Sequence, residues 1–343
     1  MLAVGSGGMA SETCRDDRRE QAMDLLAALS SYLPYTLAEG ILRDPTRPLF
    51  NRGRWSEAAV LFADLAGFTP LAEALGSLGP AGTENLTHLL NERFAPLIEE
   101  VERWGGVVGK FAGDAMTVLF YGVERERRAL ACALALRAIM LRLAVAETPA
   151  GRFTVRMRMG LAAGSVLEMV AGSPARAEFL FAGRPLDDAA RAEHCAAPGE
   201  VVLHPSLLSR LAADELAGET LAGGCFRLDA LRAEATPTPL PPLPRPEDAS
   251  QAIAMLRPFV PSEIYARLAA GQAAFVNEHR MVTMLFLSFA GFDCAASGVV
   301  EALGRYVEQF FEVVGRFGGH VRQVQMGDKG SLALVLFGAP VAH

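Results

Sequence analysis

Residues 61–69 read LFADLAGFT, and residues 285–293 read LFLSFAGFD. Both fit the frame L-F-x-x-x-A-G-F, an apolar run closed by a turn of small residues. A short apolar run bounded by glycine reads as a buried strand that turns into the next element. The copies differ at one chemical position, Asp64 in the first and Ser288 in the second. An acid at the end of a buried strand is costly unless something compensates it. The contrast therefore asks what Asp64 does and why the second copy lacks it.

The repetition extends outward from this frame. LLAALSSYLP (25–34) precedes the first copy and MLRPFVPSEI (255–264) the second; ERWGGVVGKFAGDAMTVLFYG (102–122) and GRFGGHVRQVQMGDKGSLALVLFG (315–338) follow them. The first unit reads as strand (58–66), helix (87–104), a hairpin about Gly113-Asp114, helix (124–145), strand (153–164), then strand, turn and helix (179–195) and a closing strand (200–208). That order predicts an α/β (α+β), ferredoxin-like layer. PTPLPPLPRPED (237–248) lacks amide donors at its prolines and reads as an extended linker. The expected organisation is a loose tail over 1–20, a helical lead-in over 21–54, a first unit over 55–232, a linker over 233–250, and the N-terminal half of a second unit over 251–343. Nothing in the second unit corresponds to residues 150–230, so either a truncated sequence or a longer natural protein with further domains is expected.

Composition narrows the function classes. A chain of 343 residues with 51% hydrophobic and 21% charged residues can bury more than one core. Its net charge of −7, with no Lys/Arg block, argues against a nucleic-acid partner. The apolar run 127–144 is interrupted by Arg137 and Arg142, which makes it an amphipathic helix and not a membrane span. No secretory signal is visible, and the cysteines at 14, 132, 195, 225 and 294 form no C-x-x-C pair. They read as buried free thiols of a cytoplasmic protein.

The hairpin would bring Asp114 beside the Asp64 strand. Two carboxylates in contact repel unless a proton or cation lies between them, and Mg²⁺ suits one or two carboxylates plus phosphate oxygens. The turn Leu65-Ala66-Gly67-Phe68-Thr69 then offers backbone amides at a helix start, where anions are favoured. Acids for a metal beside amides for phosphate point to a nucleoside triphosphate site. The plain alternative makes Asp114 a turn residue and Asp64 a helix cap.

ADLAGFT (63–69), GGVVGKFAGDAMTVLF (105–120), MRMGLAAG (157–164) and FAGRPLDDAARAEHCAAPGEVVL (181–203) resemble, in order, the motif blocks of the class III nucleotidyl cyclases. The chain is most similar to the tandem catalytic domains of the soluble, bicarbonate-responsive adenylyl cyclase type. The resemblance implies two Mg²⁺ (or Mn²⁺) ions on Asp64, Asp114 and the Leu65 carbonyl, and a triphosphate held by the amides of Ala66, Gly67, Phe68 and Thr69. Arg158 would contact the terminal phosphates, Lys110 would line the bicarbonate pocket, and Arg191 would orient the transition state. ATP would be cyclised to cyclic AMP and pyrophosphate, with a second cyclase domain in cis completing the site. Arg158 as a solvated strand arginine and Lys110 as a surface lysine are the plain alternatives.

The chain departs from that pattern in several places. Asp187 stands where the family has Asn, Ala190 takes the place of the bicarbonate-pocket arginine, and Leu180, at the base-selecting position, has no hydrogen-bonding group. In the second unit Ser288 replaces the acid, Lys329 adjoins Asp328, and Gln323 stands at the base-contacting lysine's position beside Arg322. Ser288 is expected to remove an acid that would be buried without a metal. Three readings stay open: an adenylyl cyclase, weak or inactive as these residues alone; a nucleotide-sensing module without turnover; and a guanylyl cyclase.

Overall fold

The structure, a computed structural model, describes residues 7–272, 281–294, 296–326 and 331–339, with side chains from residue 19 onward. Two lead-in helices, α1 (Gly7–Ser30) and α2 (Tyr35–Arg43), precede the first unit. That unit runs β1 (Arg52–Ala66), α3 (Phe68–Gly76), α4 (Pro80–Arg103), β2 (Gly106–Ala112), β3 (Ala115–Tyr121), α5 (Arg125–Arg142), β4 (Val145–Thr148), β5 (Gly151–Thr154), β6 (Arg156–Ser173), β7 (Arg176–Ala182), α6 (Arg184–His194), β8 (Val201–Leu203), α7 (Pro205–Leu208), β9 (Leu216–Thr220) and β10 (Phe226–Leu231). Residues 233–247 form no helix or strand, as the proline content predicts. Then follow α8 (Ala249–Leu256), α9 (Ser262–Ala269), β11 (Thr283–Phe289), α10 (Val299–Arg316), β12 (His320–Gln325) and β13 (Ser331–Phe337).

The first sheet is ordered β2–β3–β1–β6–β8–β10–β9, with β7 on the outer half of β6. Its β2–β3–β1–β6 part is the strand order of a ferredoxin-like layer. β1 is central, antiparallel to β3 and β6, and its side chains alternate between two cores. Ala59, Leu61, Ala63 and Leu65 face α4 and α5, beside Leu97, Val101, Leu130 and Leu136. Ala58 and Val60 face the other way, toward Leu119, Ala162, Phe181 and Ala189, the last on α6. Burial on both faces explains why the strand reads as a continuous apolar run. Asp64 shares its face with Val60, so it points to the α6 side.

In the second unit the order β11–β13–β12 repeats β1–β3–β2. Helix α10 places Val299, Leu303 and Val307 along one stripe, in one core with Leu167, Met169, Leu180 and Ala182 of the first unit and Val321, Val324 and Val335 of the second. The lead-ins also match each other. Pro34 caps α2 with φ −56° and ψ 142°, and Pro261 caps α9 with φ −52° and ψ 141°. Helices α1, α2, α8 and α9 share a third core with Val170 and Ala177. Glu168, buried on β6, accepts hydrogen bonds from Tyr121 (2.7 Å) and Thr36 (3.2 Å) and pairs with Arg54 (2.6 Å), tying α2 to the sheet.

Three expectations need correction. The predicted tail is helix from Gly7 onward, where α1 reaches back through a stretch without proline. The strand expected over 153–164 is two strands, and the second continues to Ser173, held against β1 from Arg156 to Val170. The cysteines are not uniformly buried: Cys132 and Cys225 are, but Cys195 is exposed and Cys294 half-buried. Cys14 lies outside the described side chains. Among the described residues no helix is long and apolar enough to cross a membrane.

Candidate active site

Asp64 is the last residue of β1 to pair with β3, opposite Ala115, and on its other side it lies opposite Arg158 of β6. Leu65 and Ala66 pair only with β6, so the main chain leaves the β3 ladder beside the Gly113-Asp114 turn. Gly113 adopts φ +67°, which suits that tight turn. Burial pushes the Asp114 carboxyl above its ordinary range; the nearby Asp64 adds to the rise and Arg158 opposes it. The hairpin thus brings the two acids into electrostatic contact, as the sequence predicts.

The turn after Asp64 depends on Gly67, which caps α3 at φ +88°. A Cβ there would lie 2.5 Å from the Thr154 carbonyl oxygen, so both conformation and space require glycine. Phe68 and Thr69 open α3, where the first amides of a helix lack intrahelical acceptors. The positive helix end therefore starts four residues after Asp64.

Arg158 Nη2 donates to Asp64 Oδ2 at 2.6 Å, and its Nε lies 3.0 Å from Glu193 Oε1. Sequence reasoning passed over Glu193, whose side chain is only 3% exposed. The enabling signal was Gly160, two residues after Arg158. A Cβ on Gly160 would lie 2.1 Å from the Ala189 carbonyl oxygen and 2.2 Å from the Glu193 nitrogen. Its absence lets α6 lie directly on β6 and brings Glu193 to Arg158. Arg158 is therefore no freely solvated strand arginine: it bridges two carboxylates.

Other sequence-predicted residues sit elsewhere. Arg191 pairs with the buried Asp188 (3.2 Å) on its own helix and is not brought to Asp64 or Asp114. Asp188 also faces Arg184 (3.7 Å) and His204 (3.5 Å). The imidazole of His204 is pushed below its ordinary pKa, chiefly by burial. Lys110 is not a surface lysine. It is half-buried, donates to the Val324 carbonyl of β12 and lies 3.8 Å from Glu178, and desolvation lowers its pKa. It stands where the two units meet. Leu180 is 1% exposed in the core beneath α10, out of reach of a nucleobase. Asp187 acts electrostatically on Cys294, so this end of α6 faces the second unit.

Gly291, at φ +97°, keeps the turn conformation of Gly67, but helix α10 begins only at Val299. Ser288 is exposed, which corrects the expectation that an acid there would be buried. β1 is flanked by β6, whereas β11 pairs with β13 on one side, and Met284, Leu285 and Phe286 are exposed along it. Gln323 donates to the Gln325 side chain at 3.2 Å. Asp328 and Lys329 lie outside the described residues.

Among the described residues no cluster of three or more His, Cys, Asp or Glu side chains could enclose a metal by itself. Asp64 and Asp114 nonetheless fit a hard divalent cation that completes its shell with water and substrate phosphates. Burial, with Asp64 adding to it, raises the Asp114 carboxyl, and Arg158 is paired with Asp64.

Residues 50–222, just over half of the chain, match the family model described as the adenylate and guanylate cyclase catalytic domain. Adenylate cyclase type 10 of Oryctolagus cuniculus is 29% identical over 198 residues, 55% of this chain and 12% of that protein. The chain therefore spans only about an eighth of that relative's length. An uncharacterized protein of Mycobacterium tuberculosis is 38% identical over 140 residues, 40% of this chain and 24% of that one. The crystal structure of the adenylyl cyclase CyaB from P. aeruginosa is similar at 22% identity and a TM-score of 0.43, covering 54% of this chain and all of that one.

Proposed function

This chain belongs to the adenylate and guanylate cyclase catalytic domain family, and from that premise we propose that its first unit supplies the metal-binding half of an adenylyl cyclase site. The observation that carries the reading is the meeting of Asp64 and Asp114 beside the Gly67 turn, with Arg158 held against Asp64. Asp64, Asp114 and the Leu65 carbonyl would hold Mg²⁺ or Mn²⁺. Held there, such an ion would supply charge stabilisation for the ribose 3′-hydroxyl and for the leaving pyrophosphate. The amides from Ala66 to Thr69 would bind the triphosphate, with α3 favouring its charge.

Arg158 is a counterion in waiting. With Asp64 otherwise engaged, its guanidinium is free to pair with the terminal phosphates, and Glu193 keeps it tethered during the transfer. Charge placed in advance lowers reorganisation at the reacting centre. The second unit would complete the site in cis, and the protein would act in the cytoplasm. ATP as substrate follows from the adenylate cyclase relatives, and ATP/GTP competition tests it.

The direct experiment measures ATP binding with Mn²⁺ by calorimetry and cyclic AMP by mass spectrometry, in wild type, Asp64→Ala and Asp114→Ala. Metal-dependent binding lost in both variants supports the reading. Undiminished binding in Asp64→Ala sinks it. A second reading, nucleotide sensing without turnover, is favoured by Leu180 buried under α10 and Arg191 engaged with Asp188. Metal-dependent binding with no cyclic product selects it.

A further inference from the structure

Two cysteines meet where α6 ends. Cys195 follows the last residue of α6 and caps it, its N–H donating to the Ala192 and Glu193 carbonyls. Cys225 directly precedes β10 and packs with Ala192, Ala196 and Val202, so it lies under the turn that carries Cys195. Ala196, the residue after Cys195, packs in the same cluster as Cys225, and the Cys195 thiol is near enough to act electrostatically on the Cys225 thiol. Cys195 is open to solvent and Cys225 is closed off from it. Adjacent thiols on two separate elements, one accessible and one sheltered, are the arrangement that thiol–disulfide exchange requires.

We propose that Cys195 and Cys225 form a reversible disulfide site, oxidised by a small disulfide of the glutathione class, that fastens the end of α6 to β10. The Cys195 thiolate attacks one sulfur of the small disulfide. That S–S bond breaks, a mixed disulfide forms on Cys195, and one small thiolate leaves. Cys225 then attacks the Cys195 sulfur, and the second small thiolate is expelled and takes up the Cys225 proton. The protein pair gives up two electrons, and one small disulfide becomes two thiols. Burial, followed by the neighbouring Cys195, holds the Cys225 thiol up to about 11, so the first attack falls to Cys195.

The site would matter beyond its own bond. Glu193 lies two residues before Cys195 and holds Arg158, which holds Asp64. A disulfide at the end of α6 would restrain the helix that positions Glu193. The chemistry itself does not depend on nucleotide turnover, so it can be tested whatever the fate of the cyclase reading.

The test incubates the full 343-residue chain with oxidised glutathione, quenches with an alkylating agent, and maps the products by mass spectrometry. The expected product has lost the mass of two hydrogens, yields one cross-linked peptide containing Cys195 and Cys225, and returns to the dithiol with dithiothreitol. Cys225→Ser should stop at a glutathione adduct on Cys195, and Cys195→Ser should leave Cys225 unmodified. A wild-type chain that accumulates the Cys195 adduct without cross-linking overturns the proposal. So does a chain in which neither cysteine reacts, or in which Cys225 is alkylated as fast as Cys195. The wild-type map decides the matter even where a variant fails to fold.

Discussion

Without metal, Asp64 and Asp114 should have opposite effects on stability. Asp114 is a half-buried carboxylate raised by burial and by Asp64, so its ionised form is disfavoured in the fold. Asp114→Asn keeps the shape and removes that charge, and should stabilise the chain by about 0.5–1 kcal/mol at neutral pH, as functional acids held against their preference do when replaced. Asp64 accepts a 2.6 Å charge-assisted hydrogen bond from Arg158, with side chains 20% and 33% exposed. Asp64→Asn should cost about 1–3 kcal/mol, toward the lower end because solvent and Glu193 both remain to Arg158. At about 2–4 °C per kcal/mol for a domain of this size, the variants should melt on opposite sides of wild type. The sign with pH follows from the raised folded pKa. Wild-type stability from Asp114 is full below the ordinary aspartate pKa and is lost as pH rises through the raised one. The advantage of Asp114→Asn should therefore open across that interval and be absent in more acidic buffer. Mg²⁺ with ATP should narrow it by stabilising wild type alone. Thermal melts with EDTA across pH supply the assay. Equal losses in the two variants, or a gain for Asp114→Asn that ignores pH, would refute the reasoning.

Four further substitutions probe the frame around the site. Gly160→Ala would drive a Cβ into backbone atoms of α6, which cannot step aside as side chains do, so a loss of about 1–3 kcal/mol or more is expected by denaturant titration. Its metal-dependent ATP affinity should fall as well, because Glu193 moves with α6. Glu168→Ala leaves the Tyr121 hydroxyl buried without its acceptor and should cost about 2–3 kcal/mol, whereas Tyr121→Phe should cost about 1 kcal/mol, since Glu168 keeps Arg54 and Thr36. Equal costs for those two would mean that Glu168 is not the hub. Lys110→Met removes a half-buried ammonium and its bond to Val324; hydrogen exchange at β12 should quicken while the β1–β6 ladder stays protected.

Much of the first unit was legible because its signals are local. The apolar run through Asp64, the glycine turn and the hairpin around Gly113 each fix their own geometry within a few residues, and the structure repeats them in register. What stayed hidden depends on partners far along the chain. β6 looks finished at Gly164, yet its outer half pairs back to Arg52 and buries Glu168 among groups from three other elements. Glu193 was passed over for the same reason: its partner Arg158 lies on another element, and only the missing Cβ of Gly160 hinted at the contact. Arg191 was misplaced because a nearer acid, Asp188, shares its helix face. The exposure of Ser288 could not be read from a motif that is identical in its apolar positions to the buried copy.

The 18-residue strand β6 serves four cores at once, and this sets an order of events during synthesis. Once Leu231 has left the ribosome, every strand of the first sheet exists. Leu167, Met169 and Leu180 still lack the cover of α10, which ends at Arg316. At about 5–20 residues per second the gap is on the order of ten seconds. A nascent chain with a finished sheet and a wet apolar flank is the kind of client that trigger-type chaperones hold. The second unit, whatever it does for catalysis, is thus also the piece that closes the first.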